Sequence, residues 1–253
     1  MQLTPLMFVI VCPMLFLAGL VDAIGGGGGL ISLPAYLLAG LPAHSAIATN
    51  KLSSSCGTAL ATGRFIRKGL VNFRLAGFSV IAAVLGSSLG ANLSLAVSES
   101  VMKNILLAVL PLAAFFVLNR HLFQDEGKHA AEADRKTLTI CMVSAFIIGM
   151  YDGFYGPGTG TFLIIAFAVF AKMTVGSANA QAKVINLTSN LTSLAVFLLN
   201  GQVLIPLGIA AAVCNMAGNW VGSTLAVTKG TKIVRPVILL VLVLLLAKII
   251  FNF

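Results

Sequence analysis

Apolar runs fill most of this chain, and polar residues punctuate them in a regular way. Ten apolar segments can be marked, at 6–24, 30–41, 45–66, 75–97 and 101–118, then 138–152, 159–171, 176–199, 203–227 and 234–252. One hydrophilic stretch, 119–137, separates five segments from five. A helix needs about 20 residues to cross a bilayer. The second segment of each half falls short of that length, and each follows a glycine-rich break: five consecutive glycines at Gly25 to Gly29, and the sequence YGPGTGT at 155–161. A glycine in a helix interior costs about 1 kcal/mol relative to alanine, so helices are expected to stop there.

The two halves match. At an offset of 132, residues 45–65 lie over 177–197, with Lys51 on Lys183, and Gly69, Gly86, Gly90 and Leu93 fall on Gly201, Gly218, Gly222 and Leu225. At an offset of 130, Asp22, Gly26 and Gly28 fall on Asp152, Gly156 and Gly158. The pattern predicts an all-α polytopic membrane protein of two membrane repeats, 1–118 and 138–253, joined by a linker loop at 119–137.

Composition agrees. Hydrophobic residues make up 58% of the chain and charged residues 9%, against roughly 25% charged in a soluble domain. The net charge of +9 sits mostly in short loops between segments, which marks cytoplasmic loops rather than nucleic-acid binding. No Lys or Arg precedes Lys51, so the first segment is expected to be a span rather than a cleaved leader. Arg64, Arg67, Lys68 and Arg74 make the loop between the third and fourth segments basic, whereas its counterpart, Asn200 to Gln202, is neutral. In the second half the basic loop comes one connection later, with Lys229, Lys232 and Arg235. The halves are therefore expected to face opposite ways, with re-entrant or broken helices after each glycine run and the linker on the cytoplasmic side. Cys12, Cys56, Cys141 and Cys214 stand singly in apolar runs and read as small hydrophobes, not as metal ligands.

Inverted repeats with broken helices place a substrate site near the bilayer midplane. A helix starting after a break offers free amide hydrogens and a positive dipole end to an anion, which points to Gly27, Gly28, Gly29, Gly158, Thr159 and Gly160. Of seven acids, only Asp22 and Asp152 lie within the membrane-associated segments, just before the breaks. Each could neutralise a lysine, take up a proton or cap exposed amides. Lys51 and Lys183 begin polar stripes. Lys183, Asn186 and Asn190 share one helical face, as do Lys51, Ser54, Ser55 and Thr58, with Asn50 beside them. The lysines either contact an anion or snorkel to headgroups. Asn215 and Asn219 reach the site or bond a neighbouring helix, and the GxxxG pairs Gly86/Gly90 and Gly218/Gly222 read as close helix packing.

DxxGGGGG with a following TNK, and DGFYGPGTGT with a later QAKVIN, resemble the TauE/SafE sulfite exporter family of permeases over essentially the whole chain. The resemblance implies a plasma-membrane carrier for small sulfur-containing anions such as sulfite, a sulfonate like sulfoacetate, or thiosulfate, working without a cofactor. Ala182 stands where the first half has Asn50, so the half-sites differ. The expected partners are a small anion and the bilayer, with no nucleic acid, and a homo-oligomer is left open. An anion channel, or a carrier of small non-sulfur organic anions, fits the same residues. An enzyme does not, because no His, Cys or carboxylate cluster has catalytic spacing; His44, His121 and His129 lie far apart.

Overall fold

The computed structural model describes residues 3–98, 134–230, 232–234, 236–237, 240 and 243. The fifth segment, most of the linker and most of the tenth segment, with His121, His129 and Lys248, lie outside the described residues. Within them the fold is helical, with no strand. The helices are α1 (Pro5–Gly25), α2 (Gly29–Leu38), α3 (Ala43–Arg67), α4 (Phe73–Ala96), α5 (Arg135–Phe154), α6 (Thr159–Val169), α7 (Val175–Leu199) and α8 (Ile205–Lys229). Five of them, α1, α4, α5, α7 and α8, are long and apolar enough to cross a membrane. The protein is thus an all-α polytopic membrane protein.

Both glycine runs end a helix and start a short one. α1 stops at Gly25, and Gly26 turns left-handed at φ 80°. Its amide donates back to the Asp22 carbonyl at 2.8 Å. In the second half Gly156 (φ 100°) and Gly158 (φ 82°) make the turn. The short helices that follow hold 10 and 11 residues.

The layers are inverted relative to a soluble protein. α3 and α7 bury polar faces, including Thr49, Asn50, Lys51, Ser53 and Thr58 on one and Gln181, Lys183, Asn186, Ser189 and Asn190 on the other. Around them α1, α4, α5 and α8 turn large apolar side chains outward, among them Leu6, Val9, Ile81, Leu85, Ile147, Ile209 and Val213. Lipid accepts those side chains at no cost, whereas polar groups in it would have to find partners inside the protein.

Two glycine seams clamp the outer helices in pairs. Gly86 and Gly90 of α4 lie against the carbonyl oxygens of Phe146 and Met150 in α5. Gly218 and Gly222 of α8 lie against those of Phe16 and Leu20 in α1. The seams involve equivalent residues, related by the same offsets of 132 and 130 that align the sequence, and each joins one half of the chain to the other. A Cβ at any of the four would enter the facing backbone, so only glycine allows this approach.

Loop ends are tied by side chains. Asn72 caps α4, accepting from the amides of Arg74 and Leu75 at 3.1 and 3.2 Å, and its own backbone exchanges two hydrogen bonds with the Gln181 amide of α7. Arg64, in the last turn of α3, stacks on Trp220 at 4.3 Å and donates to its carbonyl. Asp134 caps α5 by accepting from the Thr137 amide at 2.9 Å, and the hydrogen bonds from Thr137 hold its carboxyl below the usual range.

Gly90→Val and Gly222→Val are expected to cost about 1–3 kcal/mol each through overpacking, read as a lower melting temperature in detergent. Gly77→Ala, where a Cβ meets nothing within 4 Å, is expected to be neutral or to stabilise α4 by up to about 1 kcal/mol.

Candidate functional site

At the centre of the fold, the polar stripes of α3 and α7 meet the carboxylates that precede the two breaks. Lys51 Nζ lies 2.8 Å from Asp152 Oδ2, and Lys183 Nζ lies 2.8 Å from Asp22 Oδ2. The pairs are crossed: each lysine takes its counter-ion from the other half of the chain. The lysines are sealed, with side chains 2% and 0% exposed. Snorkelling is therefore not what these two lysines do; both reach inward.

The carboxylates are not held alike. Asp152 accepts from three donors: Lys51, Ser189 Oγ at 2.6 Å and Thr159 Oγ1 at 2.8 Å. Asp22 accepts from Lys183 and, at 3.5 Å, from Thr58. Its side chain is 13% exposed against 3% for Asp152. Neither carboxylate bonds an amide of the helix that follows it. Each is instead paired with a buried lysine.

A cavity of about 20 Å³ opens beside the pairs, sized for one or two waters. Asp22, Asp152, Lys51, Asn50, Asn186 and Asn190 line it, with Gly29, Thr159 and Gly160 from the starts of the short helices. Lys183, Gly27, Gly28 and Gly158 are not among its lining residues. Gly26, Ser54 and Gly156 are. The sequence had placed Ser54 on a polar stripe and matched Gly26 with Gly156, but neither pattern says what faces a cavity.

Lys51 also sets the polarity of this cavity. An ammonium only donates, and Lys51 Nζ donates to the Asn190 amide oxygen at 3.1 Å. That leaves the Asn190 nitrogen to donate to the Asn186 oxygen at 3.2 Å. The Asn186 nitrogen remains as a donor. The Asn50 oxygen is taken by Ser54 Oγ at 3.3 Å, so Asn50 likewise keeps its donor end. The residues lining the cavity thus include two amides with a donor end left over and two helix starts.

The breaks themselves touch. A Cβ on Gly160 would stand 2.6 Å from Gly26 Cα, and Thr161 Oγ1 donates to the Gly25 carbonyl at 2.6 Å. A Cβ on Gly156 would stand 2.9 Å from Asp152 Oδ1 and 3.2 Å from Lys51 Nζ. Glycine at 26, 156 and 160 thus makes room for the other break or for the ion pair. Asn179 ties in from α7, donating to the carbonyls of Ala23 and Ile24 at the end of α1. Asn215 and Asn219 line no part of the cavity. Asn215 donates to the Leu15 carbonyl, Asn219 donates to Asn215, and both pack against Gly19 and Gly57. Among the described residues no three His, Cys, Asp or Glu side chains gather to hold a metal ion.

With this geometry in place, the comparisons with known proteins settle the family. The family model described as "Sulfite exporter TauE/SafE" matches residues 11–249. The chain belongs to the TauE/SafE family. Among its relatives, a probable membrane transporter protein of Haemophilus influenzae is 36% identical over 94% of this chain and 92% of its own length. The probable membrane transporter protein YfcA of Escherichia coli K12 is 33% identical over 99% and 92%. The probable membrane transporter protein ORF9 of a Sinorhizobium species is 36% identical over 89% and 85%. No solved structure matches. The TauE/SafE chain described here is therefore a multi-pass membrane transporter and not an enzyme.

Removing one member of a buried ion pair leaves a charge unpaired, at about 3–5 kcal/mol, whereas removing both can be nearly neutral. Lys51→Met and Asp152→Asn are each expected to lower the melting temperature sharply, and the double variant to recover most of the loss. A thermal double-mutant cycle in detergent checks this. Additive losses would mean that the two side chains do not stabilise each other.

Proposed function

We propose that this transporter is a secondary carrier for a small sulfur-containing anion such as sulfite, a sulfonate like sulfoacetate, or thiosulfate. It works by alternating access in the plasma (inner) membrane. In this reading residues 1–118 and 138–253 are inverted repeats around one central site, and the linker at 119–137 is cytoplasmic. The observation that carries the reading is the cavity beside two crossed lysine–aspartate pairs, with Asn50, Asn186 and two helix starts among its lining. The substrate class is supported by the family's description as sulfite exporters.

The chemistry follows from what lines the cavity. A sulfur oxyanion spreads its charge over several oxygens that accept hydrogen bonds from many directions. Asn50 and Asn186 donate from α3 and α7, Lys51 supplies charge, and the amides at the starts of α2 and α6 add their partial positive charge. Asn190 acts through Lys51 and Asn186, fixing which end of the Asn186 amide the anion meets. The cavity is small and lies between two helix breaks, which supports a carrier that closes around its cargo over an open anion channel.

The test uses the full chain, purified and reconstituted in liposomes. Labelled sulfite or thiosulfate is expected to enter saturably and to show counterflow against unlabelled anion inside. Matched carboxylates are expected to compete poorly. Asn186→Leu and Asn50→Ala each remove a hydrogen bond to a charged ligand, worth about 1.5–3 kcal/mol, and are expected to weaken apparent affinity about ten- to hundredfold. Flux that does not saturate and shows no counterflow would make the protein a channel. Equal competition by carboxylates would remove the sulfur assignment.

A further inference from the structure

The charges around the cavity already balance. Lys51 and Lys183 contribute two positive charges, and Asp22 and Asp152 contribute two negative ones. An anion entering this site would leave one buried negative charge without a counter-ion, which is among the most expensive states a membrane protein can hold. Something must accompany the anion. We propose that Asp22 takes up one proton each time a monovalent anion binds, so that anion and proton occupy the site together and no net charge is added. This rests on the anion-carrier reading above and names its coupling partner.

The choice of Asp22 over Asp152 comes from their surroundings. Asp152 is held by three donors at 2.8 Å or less, and protonating it would oppose all of them. Asp22 has one short partner and one at 3.5 Å, and its side chain is the more exposed of the two. The groups around it are few. Lys183 of α7 is bonded to it, while Lys51 of α3 and Asp152 of α5 share its cavity. α6 carries no titratable residue, and the titratable groups of α2 and α8, Tyr36, Cys214 and Lys229, line no part of the cavity.

The step balances simply. A proton from solvent forms an O–H bond on the Asp22 carboxylate, Lys183 stays an ammonium, and the anion takes the place of the lost carboxylate charge. On release the proton leaves with it. Over the cycle a monovalent anion and a proton cross together without moving charge. The asymmetry gives the two half-sites different duties: Lys51 with Asp152 is a fixed strut beside the anion, and Lys183 with Asp22 is the pair that opens.

Sulfite itself exchanges protons near neutral pH, so the probe must be an anion that does not. Methanesulfonate is suitable, with thiosulfate as a second sulfur anion. The Kd of methanesulfonate for the full chain in detergent is measured by titration calorimetry between about pH 5 and pH 8. Wherever Asp22 is ionised in the empty protein and protonated in the complex, affinity is expected to fall about tenfold per pH unit of rise, the mark of one proton bound per anion. Repeating the titration in buffers of different ionisation enthalpy counts that proton on the wild-type protein, so no variant need fold. Asp22→Asn is expected to bind with a Kd that no longer changes with pH. Saturable binding with a flat pH profile and no buffer-dependent heat would overturn the coupling and leave the carrier reading standing. A slope lost in Asp152→Asn and kept in Asp22→Asn would overturn the assignment to Asp22. Binding of none of methanesulfonate, thiosulfate and sulfite would remove the sulfur-anion reading and the coupling with it.

Discussion

Two lysines and two aspartates brought together inside a membrane protein constrain everything around them. A single charge left unpaired at that depth would cost more than most folds can absorb. The chain therefore has to bring α1 to α7 and α3 to α5 at hydrogen-bonding distance. The glycine seams are what let the outer helices close in around that centre, because α4 on α5 and α8 on α1 approach to backbone contact. The polar stripes of α3 and α7 are what remains to be hidden, and only the interior can hide them. Once the four charges are paired, the rest of the architecture has little freedom.

The same pairing is what the proposed anion site is built on. Ion pairs that served packing alone could be replaced by apolar residues of similar volume with no loss. Here they sit beside a cavity that two helix starts and Asn50, Asn186 and Asn190 also line. Lys51 also fixes the orientation of two asparagines in succession. A charge that is neutralised by a carboxylate can be neutralised instead by a substrate.

Much of this could be read from the residues. The short second segments, the glycine breaks, and the aspartates and lysines at matched offsets all follow from local pattern, since periodicity and helix breaking act over a few residues. The GxxxG pairs were likewise legible as contact surfaces. Partnership was not. Nothing in a stripe of Lys183, Asn186 and Asn190 says that Lys183 will meet Asp22 while Asn190 meets Lys51, because those contacts join residues 161 and 139 positions apart. The contact between Gly26 and Gly160, which puts one break against the other, was hidden for the same reason. So was the unequal hold on the two aspartates, which depends on Ser189 and Thr159 rather than on anything beside Asp22 or Asp152 in the chain. Asn215 and Asn219 show the converse: their type and position allowed two readings, and only packing against Gly19 and Gly57 separates them.

The crossed arrangement also bears on how the molecule is made. When the first half of the chain has been synthesised, Asp22 and Lys51 are already committed to the membrane, but their partners Lys183 and Asp152 do not yet exist. Nor do the faces that Gly86 and Gly90 will press against, or the helix whose glycines will press on Phe16 and Leu20. The two ion pairs join residues more than a hundred positions apart, and the seam of Gly86 and Gly90 meets residues 60 positions later, so none of these contacts can form on the first half alone. Assembly then comes late and together, as α5 to α8 arrive and close both seams and both pairs. Until those helices are in place, neither ion pair and neither glycine seam can be complete.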